Sequence, residues 1–431
     1  MLKLERKELD MEMLEKVLEN DNLERAYKQV YSNKGASGVD NVTVYELKDY
    51  MDKHMEEIKE LIRNRKYNPS AVKQVGIPKE NGDIRKLGIP TVMDRVIQQA
   101  IVQVLSPIYE CQFSNYSYGF RPRRSCEMAV IKLLEYFNDG YTWIVDIDLE
   151  KFFDTVNHDK LIGIIMRTIH DGELVSLIRK YLVADVMKYG QLYKNDKGTP
   201  QGGNLSPLLS NILLNELDKE LEKRGLNFVR YADDCVITVK SEKAADRVMD
   251  GITKFIEKKL MLKVNITKSK VARPDEIKYL GFGFYYNKMG KIKPKPHLKS
   301  IEKFKRKLKE LTKRNGSISL DERIKQLNYL IRGWINYFRI CDMKGVLQKI
   351  TSHLCRRIRS IIWKQWKVIK CRIKSLIKLG ATKANAIRLA MSRKNYWNTS
   401  MYLNIYITND KLKRKGLVFP IDYYLLKHIE M

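Results

Sequence analysis

The sequence predicts an α+β protein in which strands and helices mix through about residue 290 and helices dominate beyond it. Three observations carry that expectation. Two short stretches, 142–149 and 227–240, hold the β-prone apolar residues of strands. Long apolar stripes of helical period separate and follow them. Between the two regions stands Lys291-Ile292-Lys293-Pro294-Lys295-Pro296. Two prolines among lysines can continue neither a helix nor a central strand, so a domain boundary is expected there.

Taken in order, residues 10–66 read as helical, and a hairpin follows over 72–90, its turn formed by Asn81-Gly82-Asp83-Ile84. Val92, Val96, Ile97, Ala100, Ile101, Val104 and Leu105 mark a helix over 91–105. Then come strand 142–149, helix 157–169, a long helix over 205–223, hairpin 227–240 and helix 242–260. Past the prolines, helices are predicted over 299–314, over 321–340 and over 344–378. The second carries Ile324, Leu327, Ile331, Trp334, Ile335 and Phe338 on one stripe. Residues 379–431 mix helical with short strand-like pieces. No internal repeat and no low-complexity segment is present.

The chemistry concentrates in Arg230-Tyr231-Ala232-Asp233-Asp234-Cys235, two adjacent carboxylates between apolar β-prone flanks, expected at the tip of a tight hairpin. Carboxylate oxygens are hard donors that suit Mg²⁺, and nucleotidyl transfer uses two such ions about 3.5–4 Å apart. Alone the pair is a weak signal, because Asp-rich hairpin tips are ordinary turn chemistry. A third carboxylate strengthens it. Trp143-Ile144-Val145-Asp146-Ile147-Asp148 alternates so that Asp146 and Asp148 share one strand face, where buried acids need a cation or donors to compensate them.

Here the chain resembles the group II intron reverse transcriptases. In that family a strand aspartate five residues before an aromatic gate, followed by Asp and then Asn-His, is a metal ligand, and Asp148, Phe153, Asp154, Asn157 and His158 fit the pattern. Asp146 has the wrong spacing to Phe153 and is read as a supporting carboxylate. The resemblance continues in chain order. Lys34-Gly35-Ala36-Ser37-Gly38-Val39-Asp40 looks like the N-terminal loop of these enzymes, and Ile77-Pro78-Lys79 with Ile84-Arg85-Lys86-Leu87-Gly88-Ile89-Pro90 like their fingers hairpin. Tyr118-Gly119-Phe120-Arg121-Pro122, Thr199-Pro200-Gln201-Gly202-Gly203-Asn204-Leu205-Ser206-Pro207-Leu208 and Tyr279-Leu280-Gly281-Phe282 complete the polymerase set. Gly333-Trp334-Ile335-Asn336-Tyr337-Phe338 resembles the maturase segment that follows it. Any one of these is a hint, whereas their co-linear run is specific.

The resemblance implies a right-hand polymerase of fingers and palm, a helical thumb or maturase domain and a small basic C-terminal region. The expected segments are 1–110 (N-terminal extension and fingers), 111–290 (palm with the remaining fingers elements), 291–378 (thumb and maturase) and 379–431 (a DNA-binding-like region). It implies an RNA-directed DNA polymerase in which Asp148, Asp233 and Asp234 hold two Mg²⁺, with Mn²⁺ a possible substitute. One ion would activate the primer 3′-hydroxyl and the other would neutralise pyrophosphate. Lys79 and Arg85 would grip the triphosphate, Gln201 and Gly202 would contact the incoming nucleotide, and Phe153 would exclude a ribose 2′-hydroxyl, with Phe152 expected on the opposite face of the strand. Tyr279, Leu280 and Gly281 would form a primer grip. The implied partners are group II intron RNA, an RNA template with its DNA primer, target DNA and deoxynucleoside triphosphates. The absence of a paired Cys/His nuclease before Met431 resembles the compact members typified by the IIC introns.

Composition agrees. The 431 residues carry 81 Lys+Arg against 51 Asp+Glu, a formal charge of +30 that calls for a polyanionic partner. Residues 1–60 hold 10 Lys+Arg and 15 Asp+Glu, whereas 291–380 hold 26 and 5. Lys303, Arg306, Lys307, Arg314, Arg332, Arg356, Arg357 and Arg359 of the basic stretch, with Lys34 and Arg121 upstream, are the expected nucleic-acid contacts. Trp334, Tyr337, Phe338, Trp363 and Trp366 among them read mainly as a helical core. The acidic N-terminus lacks a secretory pattern and no apolar run reaches 18 residues, so a cytoplasmic protein without membrane partners is expected. The widely spaced cysteines Cys111, Cys126, Cys235, Cys341, Cys355 and Cys371 suggest free thiols. Two other readings stay open: a domesticated reverse transcriptase serving phage defence or DNA repair, and a splicing cofactor with an inactive polymerase.

Overall fold

In a computed structural model, which describes residues 13–78, 82, 84–199, 202–316 and 318–429, the chain forms two compact units that divide between Ala272 and Arg273. The first holds two sheets. β1 (Val72–Pro78) and β2 (Ile84–Ile89) make the expected antiparallel hairpin. β4 (Val186–Lys188) joins β1 in parallel and β5 (Gln191–Tyr193) closes the sheet, in the order β2-β1-β4-β5. The second sheet has the order β6-β7-β3-β8, built from β3 (Trp143–Ile147), the hairpin β6 (Asn227–Tyr231) and β7 (Asp234–Val239), and β8 (Lys270–Ala272).

Helices Ser206–Lys223 and Glu242–Lys259 pack on this sheet. Many helices of the unit begin at a side-chain cap: Thr91, Ser125, Asn157, Asp171 and Ser241 each accept a backbone N–H of the first turn. A cap is worth about 1 kcal/mol, so these starts are fixed locally before any packing. One apolar core then joins Val96, Ile97, Ile101 and Leu105 to Ile147, Leu161, Leu209, Leu213, Phe228 and Ile256.

In the second unit, β9 (Phe282–Tyr286) pairs antiparallel with β10 (Ile292–Pro296). The lysine-proline segment expected to be a boundary is therefore a strand. It sits in a two-stranded sheet, where a proline lacking an N–H can occupy an edge. Helices Leu298–Leu311, Leu320–Tyr337 and Lys344–Gln365 follow. Trp334 stacks on Phe304 with centroids 4.4 Å apart and tilts against Phe338; of the aromatics expected in a helical core, Phe338 and Trp363 are buried, Trp334 and Trp366 half-buried and Tyr337 exposed.

Two further expectations need correction. The helix predicted over 344–378 breaks after Gln365 and resumes at Ile369–Lys378, because periodicity alone does not register the bend at Trp366. Residues 379–429 hold short helices and no strand: Lys383–Ala390, Tyr396–Tyr402, Asn409–Arg414 and Pro420–Lys427, with a 3-10 turn at Leu403–Ile405. Among the described residues no helix is long and apolar enough to cross a membrane, and all six cysteines are free thiols.

Candidate active site

The hairpin places its acids by strand arithmetic. Tyr231 pairs with Asp234, leaving Ala232 and Asp233 as a two-residue turn. Across the next ladder Ile147 pairs with Cys235 and Asp146 with Val236. One residue beyond the last pair come Asp148 on one chain and Asp234 on the other. Alternation sets Asp146, Asp148 and Asp234 on one face of the sheet, together with Lys270, which pairs with Asp146. Arg230, opposite Cys235, points to the other face.

Asp148 is anchored by its backbone: its N–H donates to Ser269 Oγ at 3.0 Å and its carbonyl accepts from Asn265 N at 2.8 Å. Its carboxylate lies 3.6 Å from Lys268 Nζ. Asp233 is half-buried and Asp234 exposed. Burial raises the Asp233 carboxyl above its ordinary range and the Asp148 charge adds to the effect, against the opposing pull of Arg85 and Arg230. Burial also pushes Asp146 up to about 6, opposed by Lys270 and reinforced by Asp148. This is a crowd of hard oxygen donors with negative charge to spare, a donor set that fits divalent cations. Among the described residues, no three acidic, His or Cys side chains converge tightly enough to cage an ion unaided.

The nucleotide-side residues gather around the same place. Arg85 lies exposed on β2, and its charge is felt at Asp233. Phe153 falls on a single helical turn, Phe152–Thr155, entered through Lys151 at φ +47°, so the expectation that Phe152 and Phe153 alternate along a strand is wrong. The outcome for the side chains is similar, since adjacent helical residues diverge by about 100°. Phe152 is buried, and Phe153 stays half-buried, edge-on to it at 5.2 Å. Thr199 N donates to Phe153 O at 2.6 Å and Gly198 N to Val156 O at 2.8 Å, docking Gly198 and Thr199 beside this turn. Phe153, Lys86, Gly88, Lys151, Lys197 and Thr199 line part of a cavity of about 380 Å³, within the range of small-ligand pockets. Gly202, at φ +127°, comes so close to β2 that a Cβ there would lie 2.3 Å from Gly88 O. Lys79 and Gln201 lie outside the described residues.

Gly119 explains a motif that the sequence alone left without a role. Tyr118 N donates to Arg230 O at 2.8 Å and Arg230 N to Tyr116 O at 2.9 Å, laying this loop along the hairpin. A Cβ on Gly119 would lie 2.2 Å from Ala232 N. Glycine is what lets the loop touch the turn.

Several of the arginines expected to contact nucleic acid make bonds within the chain. Arg121 is buried, its guanidinium spent on Glu110 at 2.7 Å and on the carbonyls of Ser114 and Ser117. Arg359 is buried too, donating to Ile407 O at 2.7 Å and Asn409 Oδ1 at 2.6 Å. Half-buried Arg357 bonds Thr312 and Lys309 O, and Arg356 lies 3.9 Å over the Trp397 ring. A charge count cannot separate such cross-links from surface cations. Lys34, Lys303, Arg306, Lys307, Arg314 and Arg332 are exposed. In the second unit Tyr279 is buried, while Leu280 O accepts from Tyr337 OH at 2.9 Å and Gly281 O from Ser300 Oγ at 2.9 Å. The 279–281 segment is thus held by its backbone to the helices that follow it.

Two family profiles match in chain order: reverse transcriptase (RNA-dependent DNA polymerase) over residues 77–284, and the group II intron maturase-specific domain over 301–380. Protein YkfC of Escherichia coli is 32% identical, the match covering 60% of this chain and 78% of that protein. The group II intron-encoded protein LtrA of Lactococcus lactis is 34% identical over 62% of this chain and 55% of its own length. The chain therefore spans most of the first relative and about half of the second. Nuclear intron maturase 2 of Arabidopsis thaliana is 28% identical over 38% of this chain and 28% of its own. Among solved structures, telomerase from Candida albicans covers 82% of this chain and 69% of its own at 13% identity and a TM-score of 0.43, a loose likeness.

Proposed function

The chain belongs to the reverse transcriptases encoded by group II introns, and we propose that it copies intron RNA into DNA during intron mobility and binds that RNA to assist splicing. The observation that carries the reading is the shared sheet face of Asp148 and Asp234, with Asp233 in the turn between the strands and Arg85 near enough to act on its charge.

In this reading Asp148, Asp233 and Asp234 hold two Mg²⁺, for which Mn²⁺ can substitute. When bound, the ions make the primer 3′-hydroxyl a better nucleophile and offset the charge of the leaving pyrophosphate. The protein supplies the rest by positioning. Arg85 and Lys79 offer cations to the triphosphate, the forked guanidinium being suited to paired phosphate oxygens. Backbone groups at Gly202 and the side-chain amide of Gln201 meet the incoming nucleotide. The Phe153 ring stands where a ribose 2′-hydroxyl would need room. Tyr279, Leu280 and Gly281 hold the primer strand, and the exposed cations Lys303, Arg306, Lys307, Arg314 and Arg332 bind RNA phosphates. The partners are the intron RNA, a template–primer duplex, deoxynucleoside triphosphates and target DNA.

The test is primer extension on an RNA template with Mg²⁺. Wild-type protein should make full-length DNA, and Asp233→Ala should make none. A folded, RNA-binding wild type that extends no primer would overturn the polymerase and favour a splicing cofactor.

A further inference from the structure

Beneath the acidic hairpin, on the opposite face of the sheet, lies a polar cluster that the proposed chemistry does not use. Arg230 and Asp218 are both fully buried. Nε and Nη2 of Arg230 donate to the two carboxylate oxygens of Asp218, at 2.7 and 2.5 Å. Nη1 donates to Asn211 Oδ1 at 3.0 Å and to the carbonyl of Ala232 at 2.8 Å. Asn211 in turn donates to Gly119 O at 2.8 Å, so the loop beside the turn hangs on the same cluster. Asn211, Asn215 and Asp218 lie four and three residues apart on helix Ser206–Lys223, a buried polar row on one side of that helix.

Stability does not account for this arrangement. Desolvating two charges is costly, and replacing a buried ion pair by apolar residues of similar volume is often neutral or stabilising. What the pair does supply is direction. Ala232 sits at φ +56°, a left-handed conformation that a residue with a Cβ keeps only when its surroundings enforce it. Its carbonyl belongs to the peptide that leads into Asp233, so a donor fixed on that oxygen fixes the plane from which the Asp233 side chain departs. The guanidinium fork is itself held by two bonds to Asp218 and one to Asn211.

We propose that Arg230, held by Asp218 and Asn211, is a positioning residue that orients the Ala232–Asp233 peptide and thereby aims the Asp233 carboxylate. This deepens the polymerase reading and rests on it. Arg230 touches no substrate; it acts through Asp233.

The experiment uses the full chain with the double substitution Arg230→Met with Asp218→Leu, which removes both charges while keeping similar bulk. Four quantities are read: the melting curve, template–primer affinity, Mn²⁺ affinity by electron paramagnetic resonance, and single-nucleotide turnover at saturating substrate. The double variant should melt cooperatively and bind template–primer about as well as wild type, yet bind Mn²⁺ about tenfold more weakly and turn over on the order of 100-fold more slowly. Arg230→Lys keeps the charge on Asp218 but loses the fork, and should fall between the two. A folded double variant with Mn²⁺ affinity and turnover within about twofold of wild type overturns the proposal. If the double variant fails to fold, Arg230→Lys at wild-type turnover overturns it equally. If wild type binds Mn²⁺ but extends no primer, the polymerase reading falls, and the Mn²⁺ comparison still decides the role of Arg230.

Discussion

In the unit ending at Ala272 two arginines are turned inward: Arg230 onto Asp218 beneath the hairpin, and Arg121 onto Glu110 and the carbonyls of Ser114 and Ser117. In the unit beginning at Arg273, Lys303, Lys305, Arg306, Lys307 and Lys309 stand exposed along one helix. The same residue types serve different ends. Inside, a guanidinium bonded to a carboxylate would, in the proposed reading, fix the angle of the turn that carries Asp233, its energetic cost offset by direction. Outside, in the proposed reading, exposed ammonium and guanidinium groups would gain affinity by releasing counterions from a phosphate backbone, with little demand on geometry. Polymerisation and RNA binding should therefore come apart under mutation.

The strongest way to break that comparison is to remove the acids. Asp233→Ala or Asp234→Ala should lower DNA synthesis by on the order of 10³-fold or more, because charge stabilisation and metal binding are lost together. RNA binding, followed by filter retention, should stay within a few-fold. Loss of both activities in a protein that still melts cooperatively would mean the two functions share one surface.

Next in size is the salt response. If six or more exposed cations meet phosphates, RNA affinity should drop by about 10³-fold between about 50 and 200 mM salt. A flat titration would make the basic helix face of Leu298–Leu311 a solvated surface with no partner.

Gly119→Ala gives a smaller effect and sharpens the contrast from the other side. With 2.2 Å between the new Cβ and Ala232 N, backbone must shift, at a cost of about 1–3 kcal/mol. Calorimetry should show a lower melting temperature and primer extension a lower turnover, with RNA affinity kept. Unchanged turnover would mean that the Ala232 turn tolerates displacement.

These outcomes bear on how legible the molecule was in its sequence. The hairpin Asn227–Val239, its flanking helices and the carboxylate trio could be read because period-2 and period-3.6 patterns and turn chemistry are local signals. What escaped was long-range. Arg230 is one residue before a motif that draws the eye, but its partners lie 12 and 19 residues upstream on a helix. The one available hint was polar Asn211, Asn215 and Asp218 repeating at helical spacing among apolar residues. Arg121 and Arg359 looked like surface cations because a one-dimensional charge count carries no burial. The strand at Ile292–Pro296 was missed since proline argues against a central strand, and nothing local says that this one is an edge.

The smallest effect concerns Phe153, where the error was of type and the outcome for the side chain was not. Phe153 stands on a helical turn, yet its half-burial and its place in the cavity with Gly88 and Thr199 leave the ring facing open space. Removing it should raise ribonucleotide over deoxyribonucleotide incorporation by about tenfold, the discrimination a few well-placed carbon atoms can supply. Phe152, at 2% exposure, is the control. Truncating it should cost about 3–5 kcal/mol of stability and leave sugar choice unchanged in the protein that remains folded. Single-nucleotide extension with each sugar, paired with a melting curve, separates the two. A Phe153→Ala variant that loses stability without relaxing sugar choice would make the ring simple packing and leave the 2′-hydroxyl to be excluded by another group lining that cavity.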